Sequence, residues 1–420
     1  MTVNGSSKPI LRVGMAGLGT AVPNALPELH AHPGIKITAA ADPRHEALDK
    51  FASEFGGETY RTVEAMCASS NVDAVYILTP NHLHAEHAII AANHGKQVFC
   101  DKPMALTLED CDRMIDAAER NGVRLVTGHS QAMDAPIRAM AHIVNSGELG
   151  APLMVNTWFY SDWLYRPRGE IELDRAMGEG LVWRQGPVQV EIARMLGGGL
   201  VRSVKATTSI ADPARPVEGN YTAFLEFENR CAATLAYNAY GYFDTTELHW
   251  GVGLQGNPQD PETNARTRRR IKDFQSRDEE IAFKNSTRFG GERSGPGLQV
   301  GAGSEKRHAF FGITVVSCEK GDIRQSPTGL LLYDEHGRHE IDVTPSDQYL
   351  KRYTSTEVEL LYDAWASDRP LAAHDGAWGR ATTEVILGIL ESSAQRRELM
   401  MQHQVEYPKG VWASLEMMRR

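Results

Sequence analysis

The run Val98-Phe99-Cys100-Asp101-Lys102-Pro103 sets a lysine directly after an apolar, strand-like stretch, with a proline forcing the chain to turn. An ammonium partly withdrawn from water, or placed beside another cation, gives up its proton more readily. That suits Lys102 to exchanging a proton with a hydroxyl, the work of a general acid/base. A surface lysine before a turn fits this motif equally well on its own. Three earlier patterns bear on what stands beside it.

The first is Gly17-Leu18-Gly19. Missing Cβ atoms there permit a tight turn and close approach of a pyrophosphate to backbone N–H groups, those of Thr20 and Ala21 among them. Any α/β protein can use such a turn, and here the usual third small residue is Val22, with Pro23 at a first-turn position. Asp42, about twenty residues on, lifts the motif, because a carboxylate there accepts both ribose hydroxyls of a dinucleotide and favours NAD. Arg44 beside it either accommodates a 2′-phosphate, which admits NADP, or stacks on adenine. Thr79-Pro80-Asn81-His82-x-His84 then forms a loop at the carboxyl end of a further run, where ligands of open α/β sheets bind. No carboxylate cluster accompanies His82 or His84, so exposed or capping histidines are favoured over metal ligands, and no metal is expected.

These motifs need a parallel sheet to present them. Runs rich in Val, Ile and Ala at Leu11–Ala16, Ile35–Ala41, Val72–Leu78, Gln97–Cys100 and Arg124–Thr127 read as strands. Segments of helical period at Ala25–Ala31, His45–Phe55, Val63–Ala68, Leu83–His94 and Leu108–Asn121 alternate with them. The repeating βαβ pattern predicts an α/β, doubly wound Rossmann sheet covered on both faces, over residues 1–130. Beyond Gly150 the strands lengthen and crossovers thin out: Leu153–Tyr160, Ser203–Ile210, Tyr221–Phe227, Cys231–Tyr240, Phe311–Cys318 and Asp322–Ser326, with helices at Pro136–Ser146, Pro187–Leu196, Ser355–Ser367 and Trp378–Arg397. Residues 131–420 are expected to form an α+β domain on a large, mostly antiparallel open sheet. Asn257–Arg307, rich in Gly, Pro, Arg, Asp and Ser, is expected to be an irregular insertion or flap.

At 420 residues the chain exceeds the ~250–300 at which single cores stop growing, which supports two domains. With 42% hydrophobic and 23% charged residues it is ordinary for a globular protein, and no window is apolar enough to span a membrane. The formal charge of −10 disfavours nucleic acid; the basic stretch Arg266, Arg268–Arg270 reads as a solvated face. Five scattered cysteines form neither a disulfide framework nor a zinc site. The start MTVNGSSKPI lacks a secretory apolar core, so the cytoplasm is expected.

GxG, Asp42, Thr-Pro-Asn-x-x-His and Asp-Lys-Pro in this order resemble the glucose-fructose oxidoreductase, inositol dehydrogenase and rhizopine-catabolism (Gfo/Idh/MocA) family of NAD(P)-dependent dehydrogenases. The likeness runs on to Asp375-Gly-x-Trp-Gly379. Gly128–Pro136 (GHSQAMDAP), Trp163–Arg168 (WLYRPR), Trp183–Gly186 (WRQG) and Phe311–Glu319 (FGITVVSCE) are similar to the phthalate cis-dihydrodiol dehydrogenase-like branch. The resemblance implies hydride transfer from a CH–OH group of a small-molecule substrate, a carboxylated cyclic cis-diol, to the cofactor. It implies a homodimer or homotetramer, with sugar or cyclitol oxidation as an alternative. It implies cofactor contacts at Gly17, Gly19, Thr20, Ala21, Asp42, Arg44, Thr79, Pro80, Asn81, His84, Asp101, Lys102 and Gln131. Substrate contacts are implied at Lys102, Trp163, Tyr165, Arg166, Arg168, Arg184, Gln185 and Gln189. Guanidinium forks suit an anionic ring compound, although nearby Glu170, Glu172, Glu179 and Asp174 could pair with the same arginines.

One departure is chemical. The family's turn leads to an Asp, a His four residues later and an Asp three beyond; here these places read Arg184, Val188 and Glu191. Gln131 also stands where that branch is expected to carry histidine. Valine moves no proton, leaving three alternatives: Lys102 acts alone, Tyr160, Asp162 or Tyr165 relays the proton, or the protein binds NAD without ordinary turnover. Lys102 with a neighbouring tyrosine is the favoured reading.

Overall fold

In the computed structural model, residues 9–128, 131–295, 307–343 and 353–411 are described. Six strands, β1 (Leu11–Ala16), β2 (Ile35–Ala41), β3 (Glu58–Tyr60), β4 (Ala74–Ile77), β5 (Gln97–Asp101) and β6 (Leu125–Gly128), form a parallel sheet in the order β3-β2-β1-β4-β5-β6. The order reverses beside β1, so the carboxyl ends of β1 and β4 flank the crevice where such sheets take ligands. Helices α1 (Val22–Ala31), α2 (His45–Phe55), α3 (Val63–Cys67), α4 (His84–Asn93) and α5 (Leu108–Arg120) connect these strands. Thr62 and Thr107 cap α3 and α5 through their side-chain oxygens.

The chain then runs through α6 (Ala135–Ser146), β7 (Pro152–Tyr160), α7 (Leu181–Arg184) and α8 (Gly186–Gly197) to β8 (Val201–Ser209), β9 (Asn220–Phe227) and β10 (Ala232–Asn238). After α9 (Thr263–Arg270) and α10 (Arg277–Ser286) come β11 (Ile313–Cys318), β12 (Gly321–Gln325), β13 (Gly329–Asp334) and β14 (Gly337–Asp342). Helices α11 (Tyr353–Ala366) and α12 (Gly376–Gln395) and the short β15 (Leu399–Met400) complete the order. The second sheet has nine strands, β14-β13-β12-β11-β7-β10-β9-β8-β15; β7 and β10 pair in parallel and the rest antiparallel. Its covered face packs against α8, whose residues are all buried. Val358, Leu361 and Tyr362 of α11 join the core of the first sheet, so the far end of the chain helps cover it.

Three features differ from the expectations. Within 257–307 lie α9 and α10, so that stretch is not irregular as far as it is described; residues 296–306 lie outside the described residues. The apolar content of α9 and α10 is too low for a hydrophobic stripe to show, and polar and charged contacts hold these helices instead. The edge strands β3 and β14, mostly exposed, carry little alternation, and β13 was also unforeseen. Helix α1 begins at Val22, with Pro23 in its first turn, rather than at Ala25.

Candidate active site

The turn after β1 has the shape a pyrophosphate needs. Gly17 sits at φ +88°, and a Cβ there would come within 2.9 Å of the Leu78 carbonyl oxygen, so both the conformation and the space require glycine. A Cβ at Gly19 would meet nothing within 4 Å, and Thr20 and Ala21 lead directly into α1 without a side-chain cap. Open space over the uncapped N–H groups of a helix fits an anionic dinucleotide bridge. Asp42, 5% exposed, accepts from the amides of Leu18 (2.8 Å) and Arg44 (2.9 Å). Its remaining acceptor positions go to the Arg44 guanidinium, which also reaches the carbonyls of Leu18 (2.6 Å) and Phe289 (3.1 Å).

At the end of β4, Thr79 is half-buried, Pro80 exposed and Asn81 buried. Asn81 donates its amide to the Gly178 carbonyl oxygen at 2.7 Å, pinning the Gly178-Glu179-Gly180 turn against the first sheet. His84 is buried; its ring nitrogens lie 2.8 Å from the Pro103 carbonyl and 2.9 Å from that of Thr79, and burial lowers its pKa. His84 therefore sits between the Thr79 and Pro103 loops, and its neutral ring, with a single N–H, donates to one of the two carbonyls. His87 bonds the Thr79 hydroxyl at 3.0 Å. Among the described residues no cluster of potential metal ligands occurs.

Lys102 follows β5, and its peptide bond to Pro103 is cis. Asp101 accepts from the Lys102 amide at 2.7 Å, and Lys102 Nζ donates to the Arg184 carbonyl oxygen at 2.5 Å. Burial is the largest influence and lowers the Lys102 pKa below its ordinary 10.5; the Arg184 charge acts the same way, while Asp101, Glu179 and Glu191 oppose it. Glu191 lines a small cavity with Lys102, Thr127, Pro187 and Thr382. Val188 is fully buried in the core of the second sheet. Gln131 is half-buried at the start of a short 3-10 turn, just after residues 129–130, which lie outside the described residues.

Of the tyrosines proposed as relays, Tyr165 has its hydroxyl engaged elsewhere. The Tyr165 hydroxyl donates to Asp212 at 2.9 Å, and Arg268 covers its ring at 4.3 Å. Burial and Asp212 both raise the Tyr165 pKa. The Tyr160 ring packs on Phe243, 5.6 Å between centroids. Asp162 holds Arg166 at 2.7 Å and accepts from the Thr267 hydroxyl at 2.6 Å. None is among the charges that influence Lys102.

Several expected substrate contacts are also internal. Gln189, fully buried, spans from α8 to the Thr157 hydroxyl (3.1 Å) and accepts from Tyr221, so its amide serves the sheet. Trp163 is buried beneath the Arg168 guanidinium, 3.7 Å from its ring centre. Arg168, also buried, bonds the Trp163 carbonyl, and its pKa falls to about 10 through burial. Gln185 is half-buried in the link between α7 and α8. Of the three arginines, Arg184 is the one held loosely: its Nη1 lies 3.6 Å from Glu179 Oε1, and its side chain is 30% exposed.

Glu179 was noted in sequence only as a partner for arginines. Here it is 1% exposed, its Oε2 has no hydrogen-bond partner, and burial raises its pKa. Two glycines around a buried acid were the available signal. Lys284 and Arg288, brought to the same region by the insertion, had none.

A Rossmann sheet with an open glycine turn, a carboxylate just after β2 and a desolvated lysine held against α7 fits an NAD-binding dehydrogenase acting on CH–OH groups. Residues 11–129 match the model described as oxidoreductase family, NAD-binding Rossmann fold (GFO_IDH_MocA), and residues 137–250 match the GFO/IDH/MocA C-terminal domain. The chain belongs to the Gfo/Idh/MocA oxidoreductase family. It is 33% identical over 382 residues, 91% of this chain and 94% of the relative, to 1-carboxy-3-chloro-3,4-dihydroxycyclohexa-1,5-diene dehydrogenase of Comamonas testosteroni. Inositol 2-dehydrogenase of Salmonella paratyphi B is 34% identical over 157 residues, 36% of this chain and 46% of that one. A crystal structure from Bordetella bronchiseptica RB50, described as a dehydrogenase, superposes with TM-score 0.86 at 34% identity, covering 93% of this chain and all of that one.

Proposed function

We propose that this oxidoreductase oxidises a carboxylated cyclic cis-diol, with Lys102 as the acid/base group at the reacting hydroxyl. The observation that carries this is Lys102 itself, desolvated at the end of β5 and held against α7 by the Arg184 carbonyl, with Asp101, Glu179 and Glu191 as the carboxylates that influence it. A substrate hydroxyl replacing that carbonyl would hand its proton to the lysine once the lysine is neutral. The similarity to a carboxylated dihydrodiol dehydrogenase supports the substrate class, as does the number of arginines and lysines near Arg184.

NAD, when bound, supplies the hydride acceptor. Gly17, Gly19, Thr20 and Ala21 would hold its pyrophosphate, and Asp42 its ribose hydroxyls, with the exposed part of Arg44 yielding its place on the carboxylate. The Thr79–Asn81 loop after β4, and Gln131 after β6, would complete the cofactor contacts. Met154, Trp158 and Phe224, exposed on the open face of the second sheet, would be the apolar surface that a dimer or tetramer covers.

A neutral polyol is the second reading, favoured by the inositol dehydrogenase similarity. NADH formation with cis-3,4-dihydroxycyclohexa-1,5-diene-1-carboxylate, its methyl ester, myo-inositol and glucose separates them. Turnover of the acid diol above the others is expected; turnover of myo-inositol with none of the diol would overturn the substrate class.

A further inference from the structure

We propose that the insertion builds an anion subsite, in which Arg288 and Lys284 join Arg184 to bind the substrate's carboxylate. The assignment rests on the acidic-substrate reading above and names the part of the chain that reads the acid.

Helix α10 is anchored beside the Trp163–Arg184 segment by Glu280. That buried carboxylate accepts from Arg215 at 2.7 Å and the Arg168 amide at 2.7 Å, and its other oxygen meets Arg277 at 2.8 Å. One turn on, Lys284 Nζ stands 4.0 Å from Glu172, too far for a hydrogen bond. Arg288 follows, with its guanidinium lying against Gly169: a Cβ on that glycine would come within 2.4 Å of Arg288 Nη2. Among the described residues no carboxylate pairs with Arg288.

Positive charge is in excess here. Lys284, Arg168 and Arg184 act on Glu172, Arg184, Arg168 and Lys102 on Glu179, and Arg288 stands near Lys284, while Glu280 is taken by Arg215 and Arg277. Burial opposes the charge on Glu172, yet Lys284, Arg168, Arg184 and the Gly169 amide bring its pKa down to about 2. Burial lowers the Lys284 pKa, and Arg168, Arg184 and Arg288 lower it further against the pull of Glu172. Cations held close without enough anions cost free energy that a bound carboxylate would return. A second sign of an absent ligand is the pair of orphans: Arg168 Nε, on a side chain more than nine-tenths buried, has no acceptor, and Glu179 Oε2 has no donor. A hydroxylated carboxylic acid offers both.

The test is calorimetric binding of 3,4-dihydroxybenzoate and of its methyl ester to the full-length protein saturated with NADH. In the native protein the acid should bind about tenfold or more tightly than the ester. Arg288→Ala should bring the acid down to the level of the ester and leave the ester unchanged. Gly169→Ala should do the same by displacing the guanidinium, because the backbone of Gly169 is not in the left-handed region. Equal affinities in the native protein, or variants that weaken acid and ester alike, would overturn the subsite. Should the affinity ratio depend on Arg288 while no cis-diol acid is oxidised, the substrate reading fails and the subsite stands. Should the diol acid be oxidised with a ratio independent of Arg288, the subsite fails and the reading stands.

Discussion

At the end of β1 the polar groups close on themselves, whereas across the crevice they do not. The Asp42 carboxylate has two amides and a guanidinium, and Gly17 and Gly19 provide backbone shape rather than side-chain contacts. Between Trp163 and Arg288, by contrast, Arg184 meets Glu179 at 3.6 Å, Lys284 meets Glu172 at 4.0 Å, and buried atoms of Arg168 and Glu179 have no partner. In one half the side-chain partners are met within the chain; in the other, on the proposed reading, a bound acid would meet them. Rigid backbone suits a cofactor common to a whole family, and unsatisfied charge suits a substrate that differs between members.

The largest expected effect is on the lysine between the two halves. Lys102→Ala should lower the rate of NADH formation by about 10²–10⁴ while leaving dinucleotide affinity unchanged, as measured by steady-state rates and NADH fluorescence titration. Loss of cofactor binding instead would move Lys102 to the cofactor half. Next is Glu280→Ala, which leaves Arg215 buried without its partner; losses of this kind cost about 3–5 kcal/mol. Denaturant melts should show that loss, and proteolysis should show cuts concentrated near α10. A change under about 0.5 kcal/mol, the size typical of a surface substitution, would mean the charged half is not held by this anchor. Asp42→Ala should weaken NAD binding by about tenfold to a hundredfold, since hydrogen bonds to a charged group contribute about 1.5–3 kcal/mol. Affinity for a bound acid should not change, and a change would couple halves that the comparison separates.

The same contrast explains what the sequence disclosed. The βαβ order, the Gly17 and Gly19 turn, Asp42 and Lys102 were legible because each depends on local backbone shape or on position at a strand end. Helices α9 and α10 were not, because polar contacts with distant segments hold them rather than an apolar stripe: Thr267 with Asp162 and Arg268 with Tyr240 for α9, Glu280 with Arg215 and Lys284 with Glu172 for α10. The partner of Tyr165 was hidden for a related reason. Tyr165 lies near in sequence to the substrate-side arginines, but Asp212, 47 residues away along the chain, takes its hydroxyl. His84 was readable as part of a motif, yet its task of joining two loops appears only once Thr79 and Pro103 are side by side.

The pH dependence of kcat/KM for the cis-diol acid tests the central claim about Lys102 most directly. Oxidation needs the neutral lysine, so the rate should rise with pH, with its midpoint below the ordinary lysine value of 10.5 because burial favours the uncharged form. Asp101, Glu179 and Glu191 favour the charged form and Arg184 disfavours it, so Glu179→Gln should move the midpoint to lower pH. A midpoint unmoved by Glu179→Gln, or a profile that persists in Lys102→Ala, would contradict the account.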